Sequence, residues 1–266
     1  MSKFIVTIFP SESAAYEGTR ALKQLHAEGT LTLYGMAVLA KEASGNIAIK
    51  QSADQGGLGF AVGTLVGGLV GLLGGPAGGA IGMGTGAMLG GLGDIFNAGV
   101  RADFLEAVSK KLAPGKAAVV AEVAEDWVAP LDLRMQALGG EVIRQWRSDF
   151  EDEQIEKLAK ERQAELADLK DEFDRAGADA KTAVKKRLDE ARANADAANK
   201  RAEARQRQLE QEADAKRKEM ERQLAGARGE IKANIEKRLA AMKDEHKRRS
   251  ELLKQAWSLT KQALAA

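Results

Sequence analysis

The 266-residue chain has no cysteine, only four prolines and two histidines, and 5% aromatic side chains. Without cysteine there are no disulfides, thiolate metal sites or cysteine nucleophiles, a composition that fits a reducing compartment. Imidazole chemistry is confined to His26 and His246, far apart in the chain, and each reads as a surface or helix-face residue. An excess of charge is missing too. Forty basic residues against 39 acidic ones leave a formal net charge of +1, with no basic stripe of the kind that captures nucleic acid. The opening apolar run, Phe4 to Phe9, is followed at once by Pro10 and Glu12 and is too short to read as a secretory signal.

What the chain has in quantity is glycine, unevenly spread. Residues 55–93 contain 17 of the 28 glycines and no charged side chain. Gly59, Gly63, Gly67, Gly71 and Gly75 recur every four residues; after Pro76 so do Gly78, Gly82, Gly86 and Gly90. In a helix, positions four apart share a face, so each series predicts a smooth groove for close helix packing. Glycine costs about 1 kcal/mol relative to alanine in an exposed helix, whereas lipid enforces internal backbone hydrogen bonding. The segment therefore reads as a two-armed transmembrane hairpin of 18 and 17 residues, 57–74 and 77–93. The competing reading is a glycine-rich insert buried within a soluble oligomer.

The hairpin interrupts an α/β pattern. Before it, Phe4–Phe9 is strand-like, Ser11 caps a helix carrying Ala15, Leu22 and Leu25, Gly29 ends that helix, and strands follow over 30–40 and 47–51. After it come a helix with Phe104, Leu105 and Val108, a strand over 117–123, a helix over 127–138 and a strand over 141–146. The two halves, 1–54 and 99–147, contain a ferredoxin-like βαββαβ core plus an added αβ unit.

Residues 148–266 are different in kind. From Phe150 onward 53 of 117 residues are charged, none is proline, and acid–base pairs at i,i+4 such as Glu156 with Lys160 predict a long helix. Its seam places Leu209, Met220, Ile231, Met242 and Leu253 eleven residues apart, accompanied by Leu224 and Ile235. An eleven-residue repeat suits a nearly straight or right-handed supercoil. Leu209, Met220, Leu224, Ile231, Ile235 and Met242 are thus the expected self-association residues, and Gly177, Gly226 and Gly229 are candidate bends. The same repeat fits an amphipathic helix lying on lipid.

No motif carries chemistry. Gly57-Leu58-Gly59 and Gly84-Thr85-Gly86 belong to the four-residue glycine series rather than to a strand–loop–helix nucleotide fingerprint. Pro114-Gly115-Lys116 is a turn, no Ser/His/Asp set can be placed, and Glu151-Asp152-Glu153 has no ligand loop. No catalytic, cofactor or metal residue is expected, and the chain reads as no enzyme.

Phe4–Phe9, residues 31–50 with their turn, the glycine hairpin, Leu112-Ala-Pro-Gly115 and Leu138–Arg144 together resemble the bacterial domain-of-unknown-function family twelve-sixty-nine, over roughly residues 3–147. The resemblance implies a membrane protein with a small ferredoxin-like domain and no known activity; the long helix is a departure from it. The expected fold is α+β, a ferredoxin-like domain (1–54 and 99–147) with a transmembrane glycine-zipper hairpin (55–98), then a long coiled coil (148–266). The expected function is a membrane-anchored, self-assembling scaffold in the bacterial inner membrane with both termini cytoplasmic. Its partners would be the bilayer and itself, without nucleic acid. Two alternatives are an oligomeric channel or permeability regulator and a stress-related protein using its long helix on lipid surfaces.

Overall fold

The structure, a computed structural model, describes residues 2–54, 59–73, 100–147 and 150–265. Five strands, β1 (Lys3–Phe9), β2 (Leu31–Lys41), β3 (Ile47–Asp54), β4 (Ala117–Glu125) and β5 (Glu141–Trp146), form an antiparallel sheet in the order β3-β2-β4-β1-β5. Helix α1 (Glu12–Ala27) joins β1 to β2; α2 (Gly59–Leu73) and α3 (Ala102–Lys111) precede β4, and α4 (Ala129–Ala137) joins β4 to β5. Set β3 aside as an added edge strand, and β2-β4-β1-β5 with α1 and α4 is the ferredoxin-like arrangement.

Every residue of β1 and β4 is buried, so both faces of the sheet need a cover. Period-two alternation divides the apolar side chains between them. Ile5, Phe9, Val119 and Val123 pack with Leu22 and Leu25 of α1 and Leu131 and Met135 of α4. Phe4, Val6, Ile8 and Val120 pack on the other side with Leu65 and Leu69 of α2 and Phe104 and Val108 of α3. Local chemistry sets the ends of α1: the Ser11 hydroxyl accepts a hydrogen bond from the Ala14 amide at 3.2 Å, and Gly29 leaves the helix at φ +73°.

The expected membrane hairpin is corrected by this arrangement. Its first arm is α2, a 15-residue helix whose Val62, Leu65, Val66, Leu69 and Val70 are core residues over the sheet. At about 1.5 Å per residue such a helix falls short of a ~30 Å hydrocarbon core. Among the described residues no helix is long and apolar enough to cross a membrane. Gly59 opens α2, while at Gly63, Gly67 and Gly71 an added Cβ would meet nothing within 4 Å. That stripe therefore faces away from the packed side of α2. Gly75, Gly78, Gly82, Gly86 and Gly90, the expected turn and second arm, lie outside the described residues.

The charged tail is helical, but it is three helices rather than one: α5 (Phe150–Arg175), α6 (Ala178–Gly226) and α7 (Gly229–Ala265). Breaks fall beside the candidate bends Gly177, Gly226 and Gly229, the last at φ +55°. The chain forms two compact units, Met1–Ser148 with Glu212–Lys243, and Asp149–Gln211 with Asp244–Ala266. In the second unit Ile155 and Ala159 of α5 pack with Ala202 and Leu209 of α6 and Leu253 and Ala256 of α7. Buried among them, Asp152 accepts hydrogen bonds from Arg205 Nε at 2.9 Å and Arg249 Nε at 2.5 Å.

Candidate functional site

The first unit contains a feature that its strands alone do not announce. The end of α6 and the start of α7, residues 212–243, form a helical hairpin seated on the sheet. Met220, Ile235 and Met242 pack with Tyr34 and Ala124. Tyr34 owes its place to a β-bulge: Leu33 pairs with Val123 and Gly35 with Glu122, so Tyr34 is the extra residue, and such bulges re-aim side chains. Lys216 Nζ lies 4.8 Å from the centre of the Tyr34 ring.

Beside this small apolar contact sits a buried charge cluster. Glu122, fully buried on β4, accepts at Oε1 from Lys216 Nζ at 2.5 Å and from Arg147 Nη1 at 3.2 Å. Arg147, just past β5, also grips the Glu212 carboxylate through both terminal nitrogens, Nη2 to Oε2 at 3.0 Å. Lys216 pairs with Glu212 at 2.7 Å, while the Arg147 amide donates to the Ser2 carbonyl at 3.1 Å. Burial alone would push the Glu122 carboxyl up, but Lys216 and Arg147 beside it hold it below the usual carboxylate range. Its Oε2 has no hydrogen-bond partner among the described residues.

A second polar cluster fixes the hairpin to the turn between α1 and β2. Gln223 Nε2 donates to the carbonyls of His26 at 2.7 Å and Leu31 at 2.9 Å, and its Oε1 accepts from the Thr32 hydroxyl at 2.7 Å. The same Nε2 lies 2.8 Å from His26 Nδ1, and His26 Nε2 lies 3.0 Å from Glu219 Oε1. Arg238 donates to the carbonyls of Gly29 at 2.7 Å and Thr30 at 3.0 Å and pairs with Asp126 at 3.4 Å. Carbonyls past a helix end lack intrahelical donors, and the hairpin supplies donors to those of Gly29 and Thr30, while the His26 carbonyl accepts from both Gln223 and the Gly29 amide.

A family model described as a protein of unknown function (DUF1269) matches residues 60–162, less than half of the chain. The likeness runs from α2 into α5. No curated protein and no solved structure matches. The resemblance placed over residues 3–147 is thus corrected in extent, and the membrane hairpin it implied is not supported, since no described helix is long and apolar enough to span. With that support gone, the membrane-anchored scaffold, the channel, the lipid-surface reading, bilayer partnership and inner-membrane placement are withdrawn together. Self-assembly has no observation behind it either.

The expected self-association residues are largely used inside the chain. Met220, Ile235 and Met242 are buried against the sheet, with Leu224 half-buried beside them. Leu209 belongs to the three-helix core, and Ile231, 44% exposed, reaches over Gly29. Among the described residues no group of three or more His, Asp or Glu could hold a metal ion. Sequence reading put His26 on a surface or helix face, whereas its side chain is only 17% exposed, and passed over Glu122, Glu219 and Gln223. Glu122 had a signal, a lone acid in the apolar strand Ala117–Ala124; Glu219 and Gln223, in a helix full of such residues, had none.

Proposed function

We propose that the protein is a non-catalytic protein-interaction module, a ferredoxin-like domain clasped by its own helical hairpin, which exchanges that hairpin for a helical segment of a partner protein. The observation that carries this reading is the buried four-charge cluster of Glu122, Arg147, Glu212 and Lys216. Attraction between buried charges is largely offset by the cost of taking them out of water. When hairpin and sheet separate, all four regain hydration, so the cluster fixes register more than it adds holding strength. The apolar part of the contact is small, and polar junctions within a chain are the ones that move. The partner helix would carry a carboxylate where Glu212 sits and an ammonium where Lys216 sits. His26 fits binding better than catalysis, because protein groups occupy both ring nitrogens.

Amide hydrogen exchange of the full chain tests the reading. Residues 212–243 are expected to exchange through an opening at least about tenfold more populated than that of β1 and β4. A labelled peptide of residues 212–243, standing in for the partner, should bind full-length protein carrying Gln223→Ala saturably and lose affinity when the peptide carries Lys216→Glu. Equal protection of hairpin and sheet, with no peptide binding, would refute the proposal.

A further inference from the structure

We infer that His26 is a pH-responsive latch of this clasp, closed when the ring is neutral and opened when it gains a second proton. The inference rests on the clasp reading and adds its trigger. His26 stands in the last turn of α1 with its side chain 17% exposed. The Leu33 backbone amide donates to Nδ1 at 3.2 Å, and Gln223 Nε2 stands 2.8 Å from the same nitrogen. The Gln223 orientation is fixed by its other partners, two carbonyls at Nε2 and a hydroxyl donor at Oε1. Nδ1 is therefore an acceptor, and the single ring proton sits on Nε2, donating to Glu219.

A second proton has to go to Nδ1, where it meets donors and no acceptor. The Leu33 amide is held in β2 and cannot turn away, so the protonated ring has to swing off it and displaces the adjoining Gln223, which releases the His26 and Leu31 carbonyls and Thr32. The surrounding charges divide. Glu219 on α6 favours the charged ring but is itself drawn to Arg222 at 2.7 Å. Arg238 on α7 opposes it, with Asp126 after β4 partly neutralising that arginine. Burial, opposed by Glu219 and aided by Arg238, leaves the ring below its ordinary value of about 6.5.

The docked ring thus binds its proton less readily than a released one. The contribution of His26 to closure is fully present above about pH 6.5 and is lost as pH falls through the lower docked value. Inside that window the opening equilibrium rises by up to about tenfold per pH unit.

The test is amide exchange of residues 212–243 in the full chain between pH 7.5 and 5.0, corrected for intrinsic rates, in wild type, His26→Gln and His246→Gln. Glutamine keeps an N–H toward Glu219 and does not titrate. Opening should increase severalfold or more on acidification in wild type and His246→Gln and stay flat in His26→Gln. Frequent opening without pH dependence would overturn the latch and leave the clasp standing; no separate opening at any pH would remove both. A pH response retained by His26→Gln would place the sensor elsewhere. Should that variant not fold, carbon-13 NMR of the two wild-type histidines decides: a His26 midpoint below the ordinary value supports the latch, and one at or above it sinks it.

Discussion

Gly29 carries two constraints at one backbone position. Its φ of +73° lies where an L side chain is strained, and an added Cβ would stand 2.4 Å from Ile231 Cγ2. It ends α1, and its carbonyl accepts from Arg238, so helix capping and hairpin docking meet there. Gly29→Ala is expected to destabilise the first unit by roughly 2–4 kcal/mol, from left-handed strain plus overpacking. Gly67→Ala should do the reverse. That glycine lies within α2 with open space around it, and alanine raises helix propensity by up to about 1 kcal/mol. Urea titrations followed by tryptophan fluorescence measure both; a Gly67→Ala loss as large as that at Gly29 would mean that the glycine stripe is packed after all.

Among the elements, strands and short helices were the most legible. The apolar run Phe4–Phe9, alternation in 47–51 and Gly29 as a stop are local signals, and the expected 141–146 strand is β5 to the residue. The partner of an apolar seam is not a local signal. Eleven-residue spacing says that a face exists, and an antiparallel return of the same chain satisfies it as well as a second chain does, which is why Met220 and Ile235 lie against Tyr34. Nor did sequence connect Asp152, set in an acidic run, with Arg205 and Arg249 on two other helices. Asp152→Ala would leave both guanidiniums without that carboxylate in the three-helix core. The expected loss is about 3–5 kcal/mol, with Asp152→Asn losing less. Thermal unfolding followed by helical circular dichroism checks it, and a change under about 0.5 kcal/mol would show the triad to be solvated.

For the molecule as a whole, one misassigned segment carried the expectation of a membrane anchor. Hydropathy does not distinguish an apolar helix that faces lipid from one that faces a sheet; length and the demands of the rest of the fold do. A 15-residue α2 is in the range of a core helix rather than a span. The continuous apolar runs of β1 and β4 already implied a sheet covered on both sides, while α1 and α4 could cover only one. The cover on the other side had to come from elsewhere in the chain, and α2, α3 and the docked hairpin supply it. This makes a sharp prediction for Leu69, fully buried over the sheet. Leu69→Asn removes packed volume and buries an amide without a designed partner, for an expected loss of about 3–5 kcal/mol. Because Trp127 and Trp146 belong to the first unit and Trp257 to the second, single-tryptophan versions of Leu69→Asn can follow the units separately. The urea midpoint reported by Trp146 should fall, and the one reported by Trp257 should move less. An unchanged Trp146 midpoint would remove α2 from the core and, with it, the reason for reading the apolar segment as part of this fold.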